Sequence, residues 1–117
     1  MNLRRLGEKL GLLVLTPELD RELEQDVVVG HVSDMLSDVL AHAPAGGVLV
    51  TIQVHLNVVA VGSHAGLAAV VFAAGRRPEE DVRRKALEER LVLFASPGPA
   101  FEVVGRLYAL GVKGRHA

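Results

Sequence analysis

The chain has 117 residues, a formal net charge of −1, 50% hydrophobic and 3% aromatic residues, and no cysteine. That length suits one domain, spanning 1–117 with a core over about 27–111, and the missing cysteine excludes disulfides, thiolate nucleophiles and Cys-based metal sites. No apolar run nears the roughly 20 residues that cross a bilayer, the opening residues lack a signal-peptide pattern, and near-neutral charge with few aromatics argues against nucleic acid, so a cytoplasmic protein without membrane contact is expected.

Leucines at 3, 6 and 10 predict a first helix over 2–10, capped by Asn2 and stopped by Gly11. Leu12–Leu15 reads as a first strand ended by Thr16-Pro17. Pro17–Asp26 is acidic and reads as a surface connection. Val27-Val28-Val29 predicts a second strand, ending at Gly30-His31. Ser33 is placed to cap a helix reaching about His42, with Met35, Leu36, Val39 and Leu40 as its apolar face.

Val48–Ile52 and Ala68–Phe72 are continuously apolar, as expected of strands buried on both faces in a parallel sheet. Between them Asn57–His64 reads as a short helix with Asn57 as N-cap. Pro78 fits the first position of a helix running to about Glu89, and Glu79, Glu80 and Asp81 suit the positive end of its dipole. Leu91–Phe94 predicts a fifth strand. Pro99 opens a last helix with Phe101, Val104, Leu107 and Tyr108 on one face, and Gly111–Ala117 reads as a loose tail. Alternating strands and helices with short connections predict a three-layer α/β/α fold around a mostly parallel sheet of about five strands.

Ligands in such sheets bind at the carboxyl ends of the strands. The loops expected there carry Gly30, His31, Ser33 and Asp34; Gln53, His55 and Asn57; Gly75, Arg76 and Arg77; and Ser96. Donors, acceptors, two permanent cations and several helix N-termini would suit a small anionic ligand such as a nucleotide. The candidate ligand-binding residues are therefore His31, Ser33, Gln53, His55, Asn57, Gly75, Arg76 and Ser96. Each also has a plainer reading: Asn57, Ser33 and Asp34 as helix starters, the arginines as solvated loop charges, and His55 as a structural hydrogen-bonding group.

Catalytic motifs are missing. There is no G-x-x-x-x-G-K-[ST] loop and no G-x-S-x-G elbow. Ser33, His55 and Asp34 make a triad only on paper, since Ser33 and Asp34 are sequence neighbours. A metal site on His31 and His55 lacks completing carboxylates, and His42, His64 and His116 have no neighbours that suggest chemistry. The expectation is a protein that is not an enzyme and carries no cofactor or metal.

Five blocks in one order resemble a DRTGG domain, and more closely its small stand-alone members. They are L-G-L-L-V-L-T at 10–16, H-V-S-D-M-L-S-D-V-L at 31–40, T-I-Q-V-H-L-N-V-V-A-V at 51–61, A-A-G-R-R-P-E-E at 73–80 and S-P-G-P-A-F-E-V-V-G-R-L-Y-A-L-G at 96–111. The family's naming motifs are eroded. Gln53-Val54-His55 stands where Gly-Asp-Arg would, and of Thr-Gly-Gly only Gly75 remains, in Ala73-Ala74-Gly75. The stand-alone members use Gln-x-His-x-Asn, which matches Gln53, His55 and Asn57. The family is related to the amino-terminal domain of HPr kinase/phosphorylase, and it accompanies phosphotransacetylase and CBS domains as an accessory module. The resemblance implies a regulatory or assembly role, often through dimerisation; the alternative expectation is a pure protein-interaction module without ligand, tied to redox or hydrogenase-associated regulation. The resemblance does not imply kinase activity, because the kinase phosphate loop lies in a domain outside the matched one.

Overall fold

The predicted first helix forms as α1 (Leu3–Leu10). Asn2 accepts the Arg5 N–H through its side-chain oxygen at 2.9 Å. Gly11 ends the helix at φ 65°, which glycine adopts without a Cβ penalty. All three of its periodic leucines are buried. The computed structural model describes residues 1–115, so His116 lies outside the described residues.

Five strands, β1 (Leu13–Val14), β2 (Gly30–Val32), β3 (Val48–Thr51), β4 (Ala69–Phe72) and β5 (Val92–Ala95), form one sheet in the order β1-β5-β4-β3-β2. Each of β2 to β5 runs parallel to the next, while β1 is antiparallel on β5. Every residue of β3, β4 and β5 is buried, as continuous apolarity predicts for strands covered on both faces.

Consecutive strands are joined by α2 (Leu36–His42), α3 (Asn57–His64) and α4 (Glu80–Glu89). Right-handed crossovers stepping in one direction place all three on one face. There Val39, Val58, Val82 and Ala86 pack on Leu49, Val70, Phe72 and Leu93. The other face is covered by α1 and α5 (Ala100–Ala109), where Leu3, Leu6, Val103 and Leu107 meet Val48, Val50, Val71 and Phe94. This is the expected three-layer α/β/α arrangement. Gly7 lets α1 lie close on the sheet, since a Cβ there would stand 2.9 Å from Phe94 Cε1.

Several expectations are corrected. The second strand is Gly30–Val32, not 27–29. Val27 is drawn into the core, with its N–H on Met1 O at 3.1 Å, and only from Gly30 does the chain lie in register with Val48 of β3. The connection over Pro17–Asp26 contains a 3-10 turn at Glu22–Glu24, and its Leu19 and Leu23 belong to the core. The second helix begins at Leu36, and of its predicted apolar face Met35 is 65% and Leu40 50% exposed. Val39 carries the helix's contact with the core, which leaves Met35 and Leu40 on its outer flank.

The fourth helix begins at Glu80 rather than Pro78, whose fixed φ suits extended chain equally well. In α5, Val103 and Leu107 are buried whereas Phe101 is 88% and Tyr108 51% exposed. Their stripe is rotated off the sheet and overhangs Val32 of the edge strand. The tail is not loose over residues 111–113. Val112 is buried, and Lys113 bridges to Val29, donating its N–H to Val28 O at 3.0 Å and accepting that of Gly30 at 2.8 Å. Among the described residues no helix is long and apolar enough to cross a membrane.

Candidate functional site

Parallel strands ending together bring the loops after β2, β3, β4 and β5 to one edge. From β2 to β5, however, the order never reverses. The edge therefore lacks the switch point that opens a ligand crevice in doubly wound sheets. The direction changes only between β5 and β1. There a small cavity of about 190 Å3 is lined by Gly11, Leu13, Gly75, Arg77, Ser96 and Pro97, with Ala95.

The polar run after β3 spends its side chains on its own backbone. Thr51 Oγ1 accepts the Gln53 N–H at 3.1 Å, Gln53 Oε1 accepts the His55 N–H at 3.3 Å, and His55 Nδ1 accepts the Asn57 N–H at 3.1 Å. Each side chain thus holds the amide two residues on, a turn-forming pattern of short polar residues. Asn57 is the first residue of α3, not its side-chain cap. His55 supplies the acceptor instead. Its Nδ1 being an acceptor places the ring proton on Nε2, and the ring is exposed.

Asp34 joins the first loop to the second. Its Oδ1 accepts from Thr51 Oγ1 at 2.9 Å and from the Ile52 N–H at 2.8 Å. Ser33 closes a turn rather than capping the helix, its Oγ taking the Met35 N–H at 3.2 Å. His31 points to the α2 face, where its Nε2 lies 2.8 Å from Asp38 Oδ2. The other carboxylate oxygen lies 3.0 Å from His42 Nδ1. Hydrogen bonds from His31, Ser33 and His42 hold the Asp38 carboxyl down at about 2.

The third and fourth loops are laced together. Ala74 N–H donates to Gly98 O at 2.7 Å and Gly75 N–H to Ser96 O at 2.9 Å. Ser96 Oγ accepts the Gly98 N–H at 3.1 Å. Gly75 has φ 70°, which favours glycine. Arg76 and Arg77 are exposed, and neither forms an ion pair among the described residues.

The eight predicted residues share an edge but not a hydrogen-bonded cluster. His31 and Ser33 bond within the β2–α2 unit. Gln53 and His55 bond within their own turn, which ends at Asn57. Gly75 and Ser96 bond to each other's loop. Several loop amides at this edge are taken within the loops, among them those of Gln53, His55, Asn57, Ala74, Gly75 and Gly98. Ser33, His55 and Asp34 each face a different partner, so they form no triad. No group of three or more His, Asp or Glu side chains is placed to hold a metal ion among the described residues.

Two connecting residues escaped the sequence reading as such. Thr51 is buried, and its tie to Asp34 spans a strand pair that spacing alone does not reveal. Asp38 was visible in part, standing four residues before His42 on one helix face. The chain matches no protein-family model and no curated protein.

Proposed function

We propose that the chain is a non-enzymatic regulatory domain of DRTGG type, cytoplasmic, that works through protein association as a homodimer. One observation carries this reading: the exposed large apolar side chains Val32, Met35, Leu40, Phe101 and Tyr108 border the β2 side of the sheet. Val32, Phe101 and Tyr108 border one apolar cleft and Met35 and Leu40 flank the same edge on the other face, and exposed apolar surface of this kind favours a protein partner. The test is oligomeric mass in solution, with a pull-down from native extract. A stable mass of one chain at all concentrations, without a stoichiometric partner, would refute it.

A second reading, binding of a small anionic ligand such as a nucleotide, rests on Arg77, which lines the cavity of about 190 Å3 with Ser96 and Gly75, and on its sequence neighbour Arg76, neither of them ion-paired among the described residues. Its test is thermal melting against nucleotides and phosphorylated metabolites. At 100 times its dissociation constant a ligand stabilises the fold by about 2.7 kcal/mol, a shift of several degrees. Arg77→Ala would remove that shift, and a flat panel with the wild type would exclude the reading.

A further inference from the structure

The free edge of β2 is short and self-complementary. Toward β3, Val29 O accepts the Val48 N–H and the Ser33 N–H donates to Val50 O, so Gly30 and Val32 turn their backbone groups outward. The Gly30 N–H is taken by Lys113 O. Val32 keeps both an N–H and a C=O with no backbone partner among the described residues. One donor and one acceptor on the same residue are what a two-fold antiparallel pair exchanges when that residue faces its own copy.

We infer that the partner on this edge is a second copy of the chain, with β2 paired antiparallel to β2 about Val32. Two sheets of five strands then run on as one. Val32 shares the α5 face of the sheet, where its side chain borders an apolar cleft of about 450 Å3 with Val50, Val104, Leu107 and Tyr108. In the pair, the Phe101–Tyr108 stripes of both α5 helices close over the two Val32 side chains. On the opposite face Met35 and Leu40 flank the same edge. Val32, Met35, Leu40, Phe101 and Tyr108 are each at least half exposed, so the pair covers apolar surface on both faces of the joined sheet.

Lys113 lies beside the start of β2, its ammonium over the Tyr108 ring and donating to Tyr108 O at 3.1 Å, and Asp34 after the end of β2 is tied to Thr51 and Ile52. The same tail and the turn at Ser33 limit the ladder to the residues around Val32, which is ample for a two-fold pair and too short for an extended peptide strand.

This assignment rests on the association reading above. The experiment is mass measurement of the full chain over a concentration series, with Phe101→Glu and Val32→Lys. Both side chains are at least half exposed, so each variant keeps its fold, checked by circular dichroism and melting. A wild-type dimer with both variants monomeric is the expected result. A wild-type dimer that both variants keep would overturn this face alone and leave association standing. A monomeric wild type without a stoichiometric partner would overturn both, and a monomer captured at this edge by another protein would overturn the second copy and leave association standing.

Discussion

His55 Nδ1 lies 3.1 Å from the Asn57 backbone nitrogen, so an imidazole, and not the asparagine side chain, receives the first amide of α3. Capping side chains contribute about 0.5–2 kcal/mol. His55→Ala should lower stability by about 1 kcal/mol, whereas Asn57→Ala should change it little. Denaturant midpoints for the two variants decide between the roles. Equal losses would show that Asn57 matters as a cap after all.

Thr51 carries a heavier role than any residue of the Gln-x-His-x-Asn run. It is buried, donates to Asp34 and accepts from Gln53. Thr51→Val keeps the shape and strands the Gln53 amide, so stability should fall by about 1–3 kcal/mol. Thr51→Ser should retain most of it. A neutral Thr51→Val in urea unfolding would mean that water replaces the hydroxyl.

Acid should weaken the β2–α2 corner. Asp38 has its carboxyl lowered from 3.8 to about 2, first by His31, then by Ser33 and His42. A group whose folded value is depressed stabilises above its unfolded value, and that contribution disappears as pH falls through the folded one. The loss is therefore expected between about pH 4 and pH 2. Asp38→Asn should flatten this limb of the pH–stability curve, measured as urea midpoints from pH 5 downward. An unchanged limb would place the acid sensitivity elsewhere, for instance at Glu18, whose carboxyl Arg83 also holds low.

Gly7→Ala sets two effects against each other. Alanine improves an exposed helix by up to about 1 kcal/mol over glycine. Here its Cβ would come within 2.9 Å of Phe94 Cε1 in the core. Overpacking of this type costs about 1–3 kcal/mol, so the net effect should be destabilising. Phe94→Leu in the same chain should recover part of the loss, because it removes the ring edge that the methyl meets. Thermal melting of the single and double variants measures the coupling.

Local signals in the sequence were sound guides where one element's own chemistry decides the outcome. Asn2 and Gly11 bound α1 as read, and α3 spans Asn57–His64 as read. The Val27–Val29 run misled because strand propensity says nothing about where a neighbour's register begins. Periodicity placed Phe101 and Tyr108 on a common stripe, correctly, but could not say that this stripe hangs past the last strand. The polar character of Gln53, His55 and Asn57 was plain in the sequence. Their spacing of two was the sign of side chains bonding to amides two residues on, and it was equally consistent with a ligand-facing row. The Asp34–Thr51 tie was out of reach, since it depends on β2 lying beside β3.

The bridge from Lys113 to Val29 also has a protective consequence. By taking the outward groups of Val28 and Gly30, residues 112–113 leave only a stub of open ladder. Cutting the chain before Val112 would uncover a longer strand with Val28 and Val32 already exposed on it. Unguarded edges of that length recruit further chains without a stopping point. A truncated form should therefore lose solubility and scatter light on concentration even where its secondary structure survives.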